Sequence, residues 1–318
     1  MPLVSVLIPA FRPQYLDLAI ASALAQSFRD FELLISDDSS DAAVALVACK
    51  WEDPRIRYVR NPRRQQPGAN RDYLLSQAQG RYVKFLFDDD LLMPNSIETL
   101  VAVAQESRSQ LVFHGRHQID ERGCVLSSPQ SIPPGQWRTF ERREFFERLV
   151  GKMENFVGEP TCVLFEADAY RHLKAPFTVA GYPMRFLTDV SLYINFVDQG
   201  HRVTGVGIMG AAFRHHAEQT SNATFAAYSA GLFEWELFLR RAVDQGDLDK
   251  AHYARSLAHL HVKYRRHVND FPELAPFLQL SGAPGPEGFL SARFRQLLAS
   301  AYEAIEERRR CRMKAVSA

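Results

Sequence analysis

The stretch Phe85-Leu86-Phe87-Asp88-Asp89-Asp90-Leu91-Leu92-Met93-Pro94 decides how the rest of the chain is read. An apolar run beginning at Tyr82 ends abruptly in three consecutive carboxylates, and Pro94 stops the segment. The pattern is that of a buried strand delivering acid to its carboxyl end, the end at which open α/β sheets place their ligand sites. Adjacent carboxylates repel unless a cation lies between them, which points to a divalent metal and, with it, a phosphorylated substrate. The plain alternative is an acidic turn capping a helix at Ser96, because carboxylates are favoured at helix N-termini. On these residues alone the two readings stand level.

Upstream of this stretch the chain alternates. Val4-Ser5-Val6-Leu7-Ile8 is a β-branched run closed by Pro9, the pattern of a buried parallel strand. Leu16, Ala19, Ile20, Ala23 and Leu24 then recur at helical spacing. Phe31-Glu32-Leu33-Leu34-Ile35-Ser36 makes a second strand, and it too ends in acid, at Asp37-Asp38. A helix over about 41–51, a strand at 56–59, an arginine- and proline-bearing loop over 61–70 and a helix stopping at Gly80 lead back to Tyr82. Two acid clusters at one edge of one sheet are harder to explain as helix caps than either cluster alone.

Downstream, the spacing predicts a helix from Pro94 to about Ser107 and a strand at 111–114. A hairpin-bearing excursion over 120–136 follows, then a short amphipathic helix over 140–150 and a strand at 161–165. A helix over 188–199 carries Asp189 in its first turn, and a last strand over 202–213 runs into Arg214-His215-His216. From about Phe225 the pattern is helical only, over 225–244, 249–271 and 290–313, with a Pro/Gly-rich loop at 281–288. Strand-helix alternation predicts a doubly wound sheet.

Composition excludes more than it identifies. Of 318 residues, 46% are hydrophobic and 24% charged, so the chain is globular rather than disordered. A formal net charge of +1 exerts no global pull on nucleic acid or membrane. Cys49, Cys124, Cys162 and Cys311 form no CxxC pair, which argues against a zinc site or a disulfide framework and for a reducing compartment. No secretory leader and no apolar stretch of membrane-spanning length are evident, so a cytoplasmic protein is expected and the sequon Asn222-Ala223-Thr224 is expected to go unread. The basic end, Arg308-Arg309-Arg310-Cys311-Arg312-Met313-Lys314, is a dipole-matched solvated turn or, in a second reading, a peripheral contact with anionic lipid or a lipid-linked substrate.

Gly205-Val206-Gly207-Ile208-Met209-Gly210 fits G-x-G-x-x-G but opens no helix, and is read as a false positive for dinucleotide binding. The P-loop and nucleophile-elbow motifs are absent. A uracil- or thymine-like base offers an N–H that one strand-end carboxylate accepts, and Phe11 stands where a ring would lie against the base. A diphosphate needs a divalent cation, for which Asp carboxylates are suitable hard ligands.

Five segments carry a family resemblance: 4–11, the helix ending Ala25-Gln26-Ser27-Phe28, 31–40 with its Asp-Asp-Ser, Gly80-Arg81-Tyr82-Val83, and 85–94. In order and spacing the chain resembles, over about 4–221, the family 2 glycosyltransferases of GT-A fold. The resemblance implies that Asp38 recognises the base, that Pro9 and Phe11 belong to the nucleotide-sugar site, that Asp88 lies near the ribose and phosphates, and that Asp89 holds the metal. Many members carry an acid where this chain has Phe87. Arg71 resembles an arginine that reaches a phosphate, with a helix-surface arginine as the alternative. Asp189 resembles the catalytic acid, the usual companion before it being Thr188 here. Arg214-His215-His216, with Ser221 beyond it, resembles the segment that closes over the diphosphate, with His216 at the family's histidine. Glu159, in Gly158-Glu159-Pro160-Thr161, resembles a turn before the acceptor cavity and either binds an acceptor hydroxyl or fixes the turn.

The expectation is therefore an α/β protein with a GT-A type, Rossmann-like, mostly parallel sheet flanked by helices and a C-terminal all-helical extension. The expected division is 1–221, with a nucleotide-sugar half at 1–95 and an acceptor half at 96–221, followed by helices over 222–318. The resemblance implies a metal-dependent (Mn²⁺ or Mg²⁺), inverting, non-processive transfer of one sugar, since the Gln-x-x-Arg-Trp element of the processive synthases is missing. Its donor would be a UDP- or dTDP-sugar and its acceptor a glycan or lipid-linked hydroxyl, in surface polysaccharide, glycolipid or glycoconjugate synthesis. A sugar nucleotidyltransferase and a non-catalytic sugar-nucleotide-binding scaffold are the alternatives, the former disfavoured because Pro9-Ala10-Phe11-Arg12-Pro13 contains no glycine.

Overall fold

The computed structural model describes residues 1–63, 68–219, 225 and 227–316, with side chains through residue 311. Ser221, the sequon at 222–224 and the side chains of Arg312 and Lys314, all singled out above, lie outside the described residues. In chain order the elements are β1 (Val4–Ala10), α1 (Leu16–Leu24), β2 (Phe31–Asp37), α2 (Ala43–Ala48), β3 (Ile56–Arg60), α3 (Ala69–Gln77), β4 (Tyr82–Phe85), β5 (Leu91–Leu92) and α4 (Ser96–Ser107). There follow β6 (Leu111–Ile119), β7 (Val125–Ser127), β8 (Trp137–Phe140), α5 (Arg142–Phe146), β9 (Val163–Glu166), α6 (Ala167–Arg171), β10 (Thr178–Val179), β11 (Tyr182–Pro183) and α7 (Thr188–Asp198). The chain closes with β12 (Val203–Arg214), α8 (Tyr228–Asp244), α9 (Lys250–His267) and α10 (Ala292–Val316).

The chain divides into two compact units. One comprises Met1–Phe140, Phe156–Lys174 and Phe196–His216; the other comprises Glu141–Asn155, Ala175–Asn195 and Ala217–Ala318. The helical unit therefore includes two segments from the middle of the chain, 141–155 and 175–195, and the latter carries Asp189.

In the first unit the strands β3-β2-β1-β4-β9-β6-β12-β5 form one sheet, with β7 on β6 and β8 on β12. β3, β2, β1 and β4 run parallel; β9 is antiparallel to both β4 and β6; and β12 is parallel to β6. Six strands thus share one direction, as the strand-helix alternation predicts, and β9 is inserted against it. The registers Ala10↔Asp37 and Leu7↔Phe85 bring the ends of β1, β2 and β4 to one edge. Leu16, Ala19, Ile20 and Ala23 of α1 are fully buried in the same core cluster as Val4, Val6, Ile8, Leu33 and Ile35. Each large aliphatic in it contributes about 1.5–3 kcal/mol by burial. Strand β4 stops at Phe85, two residues before its expected end; Leu86 still donates its N–H to the Leu7 carbonyl at 3.0 Å, and the turn begins at Asp88.

The Gly-x-Gly-x-x-Gly match lies within β12, where close approach of neighbours demands it. A Cβ on Gly207 would sit 1.8 Å from the Pro133 carbonyl oxygen, and one on Gly210 2.2 Å from the His114 ring. These glycines are there for packing, which answers the motif without a nucleotide.

The second unit is built on α8, α9, α10 and a 3₁₀ segment, Pro272–Gln279, that the periodicity did not reveal. Phe233 and Phe277 stack at 5.7 Å, and Tyr302 meets Phe233 edge-on at 5.1 Å. Asp249 caps α9, accepting the His252 N–H at 2.7 Å. Among the described residues no helix is long and apolar enough to cross a membrane.

Candidate active site

The sheet edge where β1, β2 and β4 end carries both acid clusters, and in each cluster the acids have separate tasks. Asp37 is fully buried and accepts from the Ser39 N–H at 2.8 Å, the Ser39 hydroxyl at 2.6 Å and the Tyr58 hydroxyl at 2.6 Å. Burial, reinforced by Asp37, pushes the Tyr58 phenol up to about 12. Asp38 is half-buried and accepts from Asn61 Nδ2 at 2.8 Å. The first acid thus holds the turn, and the second stands at the open side, aligned by an amide.

Asp88 grips the loop after β1. Its Oδ2 accepts the backbone N–H groups of Phe11 at 2.7 Å and Arg12 at 2.8 Å. Desolvation pushes its carboxyl up to about 6, the two N–H bonds opposing the rise and the Asp89 charge adding to it. The loop fixed in this way presents Phe11 as a residue 47% exposed, the guanidinium of Arg12 lying 5.5 Å from the ring centroid. Pro9 lies inside β1, in register with Ser36.

Asp90 is 1% exposed, and accepts from the Thr161 hydroxyl at 2.6 Å and the Arg214 N–H at 3.2 Å. The N-cap residue of α4 is Asn95, without a side-chain cap bond, so the helix-cap reading of Asp90 is corrected: this acid is an internal strut. It works as one because Thr161 is in turn fixed by Lys84, whose buried ammonium nitrogen lies 2.7 Å from the Thr161 carbonyl. Desolvation brings Lys84 down to about 7.

Asp89, between these two anchors, is the acid that meets a second functional group. Its Oδ2 lies 2.9 Å from His216 Nε2. Alternation at the end of β12 puts Arg214 and His216 on one face and His215 on the other, edge-on to Phe213 at 5.1 Å. Arg214 is 2% exposed; its Nε donates to the Asp89 carbonyl at 3.0 Å, and its guanidinium stacks 4.4 Å over Tyr15. Tyr15 also lies 5.7 Å from the His216 ring. Asp89 Oδ2 and His216 Nε2 hydrogen-bond to each other; the carboxylate is a hard ligand of the kind Mn²⁺ and Mg²⁺ take, and the imidazole nitrogen is the second ligating atom beside it. Among the described residues no group of three His, Cys, Asp or Glu side chains is arranged for a metal, so such an ion would complete its shell with phosphate oxygens and water.

The remaining expected residues have their own surroundings. Arg71 sits in the first turn of α3 with its guanidinium on Asp72 at 3.1 Å. Glu159 forms a close ion pair with Arg116 of β6. Gly158, at φ +97°, turns the chain there, and any Cβ would press on Cys162 Sγ at 2.9 Å. In the other unit, Asp189 opens α7 half-buried and accepts from Asn155 Nδ2 at 2.7 Å. Tyr15, Thr161, Asn61 and Asn155 were given no role from the sequence, and Arg214 only a place in the segment ending at His216.

Relatives bear on this arrangement. Residues 5–174, more than half of the chain, match the model of "Glycosyl transferase family 2". The chain is 39% identical over 110 residues to the GalNAc(5)-diNAcBac-PP-undecaprenol beta-1,3-glucosyltransferase of Campylobacter jejuni, covering 33% of this chain and 36% of that protein. It is 25% identical over 134 residues to the UDP-Glc:alpha-D-GlcNAc-diphosphoundecaprenol beta-1,3-glucosyltransferase WfgD of Escherichia coli, covering 41% of this chain and 53% of that protein. The chain thus spans between about a third and about half the length of these relatives. Its fold is shared with residues 1–349 of S. aureus TarS, crystallised with UDP-GlcNAc, at TM-score 0.56 and 16% identity over 96% of this chain and 91% of that one. With the sheet order, the strand-end acids and a family match over more than half its length, this chain belongs to glycosyl transferase family 2 and has the GT-A fold.

Proposed function

We propose that this chain transfers a single sugar, with inversion, from a UDP- or dTDP-linked donor to a hydroxyl of a lipid-diphosphate-linked glycan during surface polysaccharide, glycolipid or glycoconjugate synthesis. The observation that carries the reading is the meeting of Asp89 and His216 at 2.9 Å on the sheet edge that also bears Asp38 and Phe11. Asp38, aligned by Asn61, is suited to accept the imide N–H of a uracil or thymine, and the exposed Phe11 ring to lie against the base. Asp89 and His216 would hold Mn²⁺ or Mg²⁺, which supplies charge neutralisation to the departing diphosphate. Asp88 keeps the loop bearing Phe11 in place; Arg71 remains a candidate for a phosphate oxygen, and Glu159 for an acceptor hydroxyl.

Asp189 acts as general base. The acceptor oxygen bonds to the anomeric carbon as the bond from that carbon to the diphosphate oxygen breaks, the hydroxyl proton passes to Asp189, and the nucleoside diphosphate leaves from the opposite face. Asn155 orients the receiving carboxylate. The acceptor class is supported by the two glucosyltransferases, whose names specify undecaprenol diphosphate-linked substrates. Such an acceptor places the chain at the cytoplasmic face of a membrane, as a peripheral protein.

Calorimetry with UDP, dTDP, GDP and UTP, with and without Mn²⁺, tests the reading, followed by transfer from a panel of UDP- and dTDP-sugars. Metal-dependent binding of UDP or dTDP is expected. Preference for UTP with pyrophosphate release would make the chain a nucleotidyltransferase, and absence of nucleotide binding would make it a scaffold.

A further inference from the structure

The helical unit contains a carboxylate whose placement fixed packing alone does not require. Glu234, in the middle of α8, is fully buried. Its two oxygens accept the backbone N–H of Arg185 at 2.6 Å, of Phe186 at 3.2 Å and of Leu187 at 2.7 Å, together with the Tyr302 hydroxyl of α10 at 3.1 Å. A buried ionisable side chain is costly unless satisfied, and here its partners come from a segment almost fifty residues away in sequence.

That segment leads directly into α7. The Leu187 carbonyl accepts the Ser191 N–H at 3.0 Å, which closes the first turn, and Asp189 lies inside that turn. Tyr228, Gly231 and Glu234 recur every three residues along one face of α8 and clasp the segment in succession. The Tyr228 ring meets Phe186 edge-on at 5.8 Å. Gly231 leaves room for that ring, since a Cβ there would lie 2.6 Å from Phe186 Cδ1. From α10, Glu306 pairs with Arg185 at 3.1 Å, one turn beyond Tyr302.

We propose that Glu234 is a positioning residue for Asp189: projecting from α8 and braced by Tyr302 of α10, it holds the three backbone N–H groups of the segment that leads into α7 and so sets where the base carboxylate lies. The C-terminal helices thereby take part in the transfer reaction, and the inference rests on Asp189 being the base. A displacement of about 1 Å in such a group costs on the order of 10²-fold in rate.

The test uses the full chain carrying Glu234→Gln, which keeps the shape but puts an amide where a backbone N–H needs an acceptor. Expected are a kcat lowered about tenfold or more, donor KM and UDP binding by calorimetry within about twofold of the parent, and faster hydrogen exchange confined to peptides covering 185–190. If that variant does not fold, Tyr302→Phe, which removes one hydroxyl and keeps the ring, is expected to show the same pattern at smaller amplitude. An unchanged kcat despite faster exchange at 185–190 overturns the proposal. So does a fall in kcat accompanied by an equal loss of UDP binding and a lower Tm, which marks a purely structural role. Asp189→Asn, assayed in parallel, separates the two levels: transfer at the parental rate removes the base assignment itself, whereas an inactive Asp189→Asn beside a fully active Glu234→Gln removes only the role of Glu234.

Discussion

Asp88 and Glu234 use the same device in two different regions. Each is an acid that takes backbone N–H bonds from a distant segment and so holds a loop beside a functional residue: Asp88 holds Phe11 and Arg12, and Glu234 holds residues 185–187. In the sheet the acid stands at a strand end, inside a run of carboxylates. In the helical unit it stands mid-helix and fully buried, with the Tyr302 hydroxyl as a side-chain partner. The comparison teaches that holding a loop is a question of where acceptors meet orphan N–H groups, and that the element type supplying the acceptor is secondary.

The largest expected effect is at Asp189, the residue that one of these devices serves. Asp189→Asn should lower transfer by about 10²–10⁴-fold with UDP binding retained, measured by radiolabelled sugar transfer alongside calorimetry. Asp89→Ala should come next, with Mn²⁺-dependent UDP affinity and kcat/KM each falling about 10²-fold. If UDP binding proves equally strong with and without Mn²⁺ in both proteins, the Asp89–His216 pair is not a metal site. Asn155→Ala, which removes the amide orienting Asp189, should reduce kcat about tenfold and leave UDP binding unchanged. An effect on UDP binding larger than that on kcat would detach Asn155 from the base.

The smallest effect is one of pH and tests the strand-end acid directly. Because the folded-state value of Asp88 is raised from 3.8 to about 6, the folded chain holds more protons than the unfolded chain between those values. Stability from this group is therefore present below about pH 4 and is lost as the pH rises through 6. Asp88→Asn should abolish that part of the slope, so the parent should lose about 1–2 kcal/mol relative to the variant between pH 4 and 6 in urea denaturation. Equal slopes in parent and variant would show that Asp88 is not desolvated in solution.

Legibility followed the period of the pattern. β1, β2 and β4 were readable because a run buried on both faces has few polar interruptions and a proline or an acid lies at or near the end of each, and α1 because Leu16, Ala19, Ile20 and Ala23 repeat at helical spacing. The insertion of β9 against its neighbours was not readable, since a short apolar run carries no direction. Asp38, Asp88, Asp89 and Asp189 stood out as acids at element ends. Thr161, Asn61, Asn155 and Glu234 did not, because a single polar residue in a loop or helix is the commonest thing on a protein surface, and only its partner reveals that it is inside.

By itself the sequence determined which strands are buried, the edge at which acid accumulates, the helical character of the last third and the family. What each acid does was decided by tertiary structure. Asp88, Asp89 and Asp90 are adjacent and chemically identical, yet one holds a loop, one meets His216 and one braces Thr161 and Arg214. The reason is physical: a carboxylate's role is set by the donors within about 3 Å of it, and those donors come from chain segments 71 to 127 residues away, brought there only when the sheet closes.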